Sequence, residues 1–229
     1  MHVKPFVVAV EPDHLASLDD VVDCHRDAER AWLKQAREDC GLQGLRGPDA
    51  TEARQRIRLR QAHLREVGTL RGTRDLVIAH EARQVLRSWK LDGPFDPVPP
   101  KDAGARGRPA GSASSRYPRT PDGQSALSGR LAVRLPSDLA DQILRSTYWH
   151  SAPAVEELRE WQRKWGDGPV VVMREATRSG APADLAGLLA AMTPRATADA
   201  IAQRMQLQEQ IITSGDVLRE SLTRAISND

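Results

Sequence analysis

The sequence predicts a mainly helical protein, with helical regions on either side of a linker rich in proline, glycine and serine. Apolar residues recur at helical spacing over most of the chain outside the linker, and alternating strand patterns are short. We expect four consecutive parts: a helical domain at 1–91, a disordered linker at 92–129, a strand–helix–helix segment at 130–166 and a helical extension at 167–229.

The N-terminal part begins with a short apolar strand and continues as three helices. The strand is predicted at Phe6–Val10 and ends at Pro12. The helices are predicted at about Asp13–Glu38, Ala50–Val67 and Arg74–Lys90, and the glycines of 68–72 separate the last two.

No catalytic, metal or cofactor site is recognisable in the sequence. His80-Glu81 opens like the helix of a zinc protease, but position 84 is Gln, so the second metal ligand is missing. His25 lacks further ligands at usable spacing, and we expect it to be buried and hydrogen-bonded. There is no nucleophile elbow and no phosphate-binding glycine loop. We therefore expect a protein that is not an enzyme.

The second helix is unusually rich in arginine. Arg54, Arg58 and Arg65 lie on one stripe, a spacing that suits successive phosphates of a nucleic acid. The alternative is that these side chains pair with the acidic first helix. We favour the pairing, because the acidic side chains of the first helix are the nearest partners. They are Asp19, Asp20, Asp23, Asp27 and Glu29.

The linker is almost empty of large apolar residues, so it cannot bury enough surface to offset its chain entropy. Within it, Arg106-Gly-Arg-Pro109 resembles the core of an AT-hook. That resemblance implies that Arg106 and Arg108 lie along the narrow minor groove of A·T-rich DNA. The alternative, which we favour, is a solvated spacer, because the flanking residues are not strongly basic.

The central segment starts with an alternating strand at 130–135. Leu131, Val133 and Leu135 share one face, and Arg130, Ala132 and Arg134 share the other. Pro136-Ser137 then opens a helix, and a second helix is expected to open at Ser151, which can cap it. The apolar stripe of the second helix comprises Val155, Leu158, Trp161 and Trp165.

This order of strand, helix and helix resembles the ribbon-helix-helix family of bacterial DNA-binding proteins. The resemblance implies that strands from two subunits pair antiparallel and enter the major groove. Arg130, Ala132 and Arg134 would then read base edges. The resemblance also implies that Ser151, Ala152 and Ala154 hold a DNA phosphate through backbone amides at a helix N-terminus. The alternative is an ordinary helical hairpin preceded by a strand.

The C-terminal part is predicted to hold a short buried strand at Val170–Met173 and three helices. The helices are expected at Pro182–Met192, at Ala196–Ile212 and around the stripe of Val217, Leu218, Leu222 and Ile226. Such stripes serve a core, dimerisation or the docking of a protein partner.

The net charge of +2 gives no global field that would attract nucleic acid. Two cysteines fit a reducing cytoplasm, and no segment resembles a signal peptide or a membrane span. The sequence predicts a dimeric protein that binds double-stranded DNA, such as a bacterial transcriptional regulator or a plasmid or mobile-element maintenance factor. The alternative is a helical interaction protein without a nucleic-acid role. DNA reading requires Arg130 and Arg134 to be exposed, whereas the alternative does not.

Overall fold

The computed structural model describes residues 2–100, 126–166 and 195–227, with side chains described from residue 198 onward in the last range. Within these residues the protein is mainly helical, with six helices and one two-stranded antiparallel sheet. In chain order the elements are β1 (Val3–Val10), α1 (Pro12–Asp39), α2 (Gly47–Glu66), α3 (Arg74–Ser88), β2 (Gly129–Pro136), α4 (Ser137–Trp165), α5 (Arg195–Glu209) and α6 (Ser214–Ser227).

The three predicted N-terminal helices are confirmed, and local signals explain where they begin and end. The hydroxyl of Thr73 accepts a hydrogen bond from the Leu76 N–H (3.3 Å) and caps α3. After α2, Gly68 has a φ of +80°, and the Thr69 N–H returns to the Leu64 carbonyl at 2.8 Å. This left-handed glycine with a returning hydrogen bond is a common way to end a helix.

The ribbon, which we define as β1 and β2 together, has one buried and one exposed face. On β2, Leu131, Val133 and Leu135 are buried, while Arg130 and Arg134 are exposed. The buried face contacts α1, α3 and α6. The predicted division of the strand into two faces is therefore confirmed. Its pairing partner differs from the expectation, because β2 pairs with β1 of the same chain rather than with a second subunit.

On β2, the edge that faces away from β1 already has one backbone N–H in a hydrogen bond to a side chain. Between the strands, the Ser137 N–H donates to the His2 carbonyl (3.0 Å). Starting from this pair, residue pairs that are hydrogen-bonded alternate with pairs that are not. By this alternation, Pro5 and Pro136 fall at positions that face away from the partner strand, where a missing N–H costs no ladder bond. The outward N–H of Arg134 donates to Asp75 Oδ1 at 3.0 Å. A second copy of β2 could not pair along this edge without displacing Asp75.

The predicted start of a second helix at Ser151 is wrong, because Ser137–Trp165 forms one helix with Pro153 inside it. Where a turn was expected, small side chains occupy the buried positions, so the helical spacing of buried residues continues without interruption. The buried stripe comprises Ile143, Ser146, Thr147, Ser151, Ala154 and Leu158. The hydroxyl of Ser151 donates to the Ile212 carbonyl (2.8 Å) and accepts from the Ile212 N–H (3.0 Å), so it does not cap a helix.

The chain divides into two compact units. The first unit contains the described parts of Met1–Pro94, Tyr117–Ile143 and Ser214–Asp229, and the second contains those of Phe95–Arg116 and Leu144–Thr213. This grouping differs from the four consecutive parts expected, because β2 and α6 join the N-terminal helices. Most of the predicted linker, the strand at 170–173 and the helix at 182–192 lie outside the described residues.

Each unit has its own apolar core. The first unit buries side chains from both strands and from α1, α3, α4 and α6. Its fully buried members include Val10, Leu18, Ile78, Leu131, Leu135, Ile143, Leu218 and Leu222. In the second unit Ala154, Leu158, Leu207 and Ile211 form the core, and the indole N–H of Trp161 donates to the Ala200 carbonyl at 2.8 Å.

Candidate nucleic-acid interface

The outer face of the ribbon presents basic and apolar side chains side by side. Arg134 lies opposite Pro5, and Ala132 lies opposite Val7, which is 67% exposed. Arg130 lies opposite Ala9 at the other end of the face. An apolar centre between two arginines is therefore open to solvent on one side of an antiparallel ribbon.

Both arginines of this face are available to bind a ligand. Within the part of the chain that the structure describes, neither the Arg130 nor the Arg134 side chain has a hydrogen bond or an ion pair. The third basic residue of the ribbon, Lys4, is paired with Asp141 at 2.5 Å. Neither strand contains an acidic residue. The face therefore carries two arginine side chains that no described acidic side chain pairs with, and the carboxylate of Asp75 is bonded to the Arg134 backbone N–H.

The dimensions of the ribbon suit the major groove of DNA. Eight residues of strand extend over roughly 24 Å, and Arg130 and Arg134 are about 13 Å apart along β2. This separation corresponds to about four base-pair steps. A two-stranded ribbon can enter the major groove, and arginine can donate to two acceptors of one guanine.

The sequence reading missed the contribution of β1 to this face. It predicted a strand only at Phe6–Val10 and assigned that strand no function. The structure extends β1 to Val3, which is 51% exposed on the outer face together with Val7. Val8 and Val10 lie on the buried face, so apolar residues on both sides hide the period of two that would have revealed the strand.

The structure does not support the expected phosphate clamp at Ser151, Ala152 and Ala154. These residues lie in the interior of α4, where backbone N–H groups are used in helical hydrogen bonds. Ser151 and Ala154 are also buried. The clamp depended on a helix N-terminus that the chain does not form. The AT-hook-like residues Arg106 and Arg108 lie outside the described residues.

The expected pairing of the arginine-rich α2 with α1 is found at one position, and the nucleic-acid interpretation stays a prediction. Arg65 pairs with Glu29 of α1 at 2.6 Å, and beyond α2 Arg74 pairs with Asp19 at 2.5 Å. Arg54, Arg58 and Arg60 are exposed and have no ion pair among the described residues. Asp23 and Asp27 of α1 form ion pairs within their own helix, with Arg26 and Arg30, rather than with α2.

Comparisons with known proteins do not identify the chain, since no family model, no curated protein and no solved structure matches it. In the described ranges, no group of three His, Cys, Asp or Glu side chains could hold a metal ion. None of the helices in those ranges has the length and apolarity needed to cross a membrane.

Proposed function

We propose that this protein binds double-stranded DNA by laying the outer face of the ribbon in the major groove. Arg130 and Arg134 donate to base edges, and the apolar centre at Val7 and Ala132 contacts thymine methyl groups. The observation that carries the proposal is the exposure of both arginines, without side-chain partners in the described chain, on one face of a two-stranded ribbon. A bacterial transcriptional regulator or a plasmid or mobile-element maintenance factor would use such a face.

The proposal does not require a second subunit to complete the ribbon. The two strands come from one chain, and the Arg134 N–H at the outer edge of β2 is already bonded to Asp75. We therefore propose a reading unit of one chain, in place of the dimer that the family resemblance implies. The exposed Arg54, Arg58 and Arg60 of α2 are available for sequence-independent contacts to phosphate.

Selection of binding sites from random duplex DNA, followed by fluorescence anisotropy at several salt concentrations, tests the proposal. Each arginine–guanine contact contributes about 1–3 kcal/mol of discrimination. Arg134→Ala is therefore expected to weaken binding of the selected site about tenfold or more, with less effect on random DNA. Val7→Glu, which introduces a carboxylate at the centre of the face, is expected to abolish binding.

Arg30→Ala is the matched control, since it removes the same charge from an exposed arginine of the same unit, outside the ribbon. Its affinity for the selected site should stay close to that of the wild type. Equal losses for Arg30→Ala and Arg134→Ala would contradict base reading by the ribbon. Absence of salt-sensitive binding by the wild-type protein would overturn the DNA proposal. Light scattering of the complex distinguishes one bound chain from two.

The ribbon face also favours a second candidate function, the docking of an acidic and apolar segment of a protein partner. Val7 is 67% exposed, the highest value among the exposed large hydrophobic residues described. Affinity capture from cell extract with the wild type and with Val7→Glu tests this alternative. It is favoured if the wild type binds no duplex DNA and retains a protein that Val7→Glu loses.

A further inference from the structure

The first unit contains a polar cavity remote in sequence from the ribbon strands. Its volume is about 340 Å³, and its walls come from α1, the segment before α3, α3 itself and α6. The polar lining residues are His25, Arg71, His80, Glu81, Gln84 and Arg224. Val21, Val77 and Ala225 complete the wall. A volume near the lower end of the range for small-molecule sites, about 300–1,000 Å³, leaves room for more than a bare ion.

The hydrogen-bonding groups of this cavity are mainly donors. Among the described residues, Arg71 uses only Nη1, which donates to Glu81 Oε1 at 3.2 Å. Its Nε is buried without an acceptor. Arg224 donates through Nε to Glu220 (3.0 Å) and through Nη2 to Ser88 (2.9 Å). Each guanidinium therefore keeps a terminal nitrogen that has donors to spare.

Among the charges that act on His80 in the cavity wall, positive ones outnumber negative ones. Arg71 and Arg224 line it, and Arg83 and Arg87 lie on the same helix as His80. The opposing carboxylates are Glu81, in the wall, and Glu220, which pairs with Arg224. Burial lowers the pKa of His80 below its usual value, and the charges of Arg71, Arg83 and Arg87 lower it further, although Glu81 acts in the opposite direction. Burial is the larger cause, and the charges of the arginines add a smaller contribution whose sign favours an anion over a cation beside this ring.

We propose that this cavity binds the phosphate group of a small molecule, held by Arg71 and Arg224 with help from Gln84 and the two imidazoles. Arginine pairs well with phosphate through parallel hydrogen bonds. Three terminal phosphate oxygens can accept from more donors than the two oxygens of a carboxylate can. Glu81 holds Arg71 in place and is a positioning residue, since its own charge opposes the anion.

Titration of the full chain with inorganic phosphate at constant ionic strength tests the proposal, followed by calorimetry and by the NMR shift of the His80 ring. Phosphate is supplied up to about 10 mM, which detects a Kd near 1 mM. Saturable binding with a shift at His80 is expected. Arg224→Gln should weaken binding about tenfold, because a hydrogen bond to a charged group contributes about 1.5–3 kcal/mol.

Two further variants separate the cavity from a general effect of charge. Arg58→Gln removes the same charge from an exposed arginine of α2, which contributes no residue to the lining, and it should change phosphate affinity by less than about twofold, because exposed charges are screened. Glu81→Gln keeps an acceptor for Arg71 and removes the opposing charge, so it should bind phosphate several times more tightly.

Several outcomes would overturn the proposal. They are the absence of saturable binding in the folded wild type, equal losses for Arg224→Gln and Arg58→Gln, or weaker binding by a folded Glu81→Gln. Acetate is the competing probe, and binding of acetate as tight as that of phosphate would assign the cavity to carboxylates instead. These experiments use no DNA, so their failure is independent of the ribbon proposal.

Discussion

The two buried glutamates of the first unit are surrounded in opposite ways. Glu29 accepts from Gln61 (2.6 Å), from Arg65 (Nη2, 2.6 Å) and from the Gly72 N–H (3.2 Å). Glu81 is equally buried, but its hydrogen-bonded partner among the described residues is Arg71 at 3.2 Å. Glu29 is thus saturated with donors, whereas Glu81 leaves Arg71 with donors to spare beside the cavity. This difference supports a structural role for Glu29 and a binding role for the surroundings of Glu81.

The largest expected effect comes from removing the saturated carboxylate. Glu29→Ala should lower the free energy of unfolding by about 3 kcal/mol, because it deletes several charge-assisted hydrogen bonds and leaves the buried Gly72 N–H without an acceptor. Glu81→Ala should cost about 1 kcal/mol, because Arg71 can be hydrated from the cavity. Urea denaturation measures both. The exposed Glu52→Ala is the control, with an effect below about 0.5 kcal/mol. Equal costs for Glu29→Ala and Glu81→Ala would remove the distinction.

Gly72 lies against Glu29 and Gly68 lies against His80, so substitutions of these glycines test how rigidly each neighbourhood is packed. A Cβ on Gly72 would collide with Glu29 Oε2, and a Cβ on Gly68 would collide with His80 Nδ1. Glu29 is fixed by its donors, so Gly72→Ala should cost about 2–3 kcal/mol. The His80 ring can move towards the cavity, so the steric part of Gly68→Ala should be about 1 kcal/mol.

Gly68→Ala also places a side chain at a φ of +80°, and this second cost must be measured separately. Gly47 has a φ of +60° and open space around its Cβ position, so Gly47→Ala gives the backbone cost alone, about 1–2 kcal/mol. Thermal and urea unfolding of the three variants provide the values. Subtracting the loss in free energy of unfolding of Gly47→Ala from that of Gly68→Ala leaves the steric cost at His80. If this steric cost is larger than the whole loss for Gly72→Ala, the His80 ring is held as rigidly as Glu29.

The smallest expected effect is a pH dependence of stability at His80. Its pKa in the folded protein lies below the usual 6.5, so the unfolded chain binds the proton more readily. Stability therefore falls as the pH drops from about 6.5 towards the folded pKa, and is fully regained above about 6.5. His80→Gln should flatten this part of the profile in urea unfolding between about pH 5.5 and 7.5. The exposed His63→Gln is the control, and an equal flattening there would contradict the assignment.

Much of the fold could be predicted because helical spacing and alternation are local properties. The faces of β2 followed from the alternation of Arg130 to Leu135, and glycines marked the end of α2. The partner of β2 could not be predicted, since an alternating strand specifies which face is buried but not which strand lies beside it. The partner, β1, precedes it by more than a hundred residues.

The error in α4 has a specific physical cause. The sequence reading followed apolar side chains only, and Ser151-Ala-Pro153 has the composition of a helix start. In the structure Ser146, Thr147 and Ser151 are the buried residues that carry the stripe past this point. Small hydroxyl side chains can be buried in a helix when they are hydrogen-bonded, as Ser151 is to Ile212. Burial of the stripe outweighs the hydrogen bond lost at Pro153.

The cavity could not be recognised in the sequence because its parts are distant along the chain. In the sequence, His80, Glu81 and Gln84 form only an incomplete metal motif. Their actual neighbours, His25, Arg71 and Arg224, come from other elements and share no spacing with them. The charge of the arginine-rich second helix was recognisable, but which arginines remain unpaired depends on the packing of α1.

The first unit cannot fold completely until late in synthesis, because its last helix, α6, follows β1 by more than two hundred residues. Arg219 of α6 donates to the Ala9 carbonyl of β1 at 3.2 Å, and Val217, Leu218 and Leu222 are buried. At about 5–20 residues per second, a ribosome takes roughly 10–40 s to progress from the end of β1 to the start of α6. During that interval the apolar surfaces that α6 covers are open to the cell, which makes the nascent chain a natural client for chaperones.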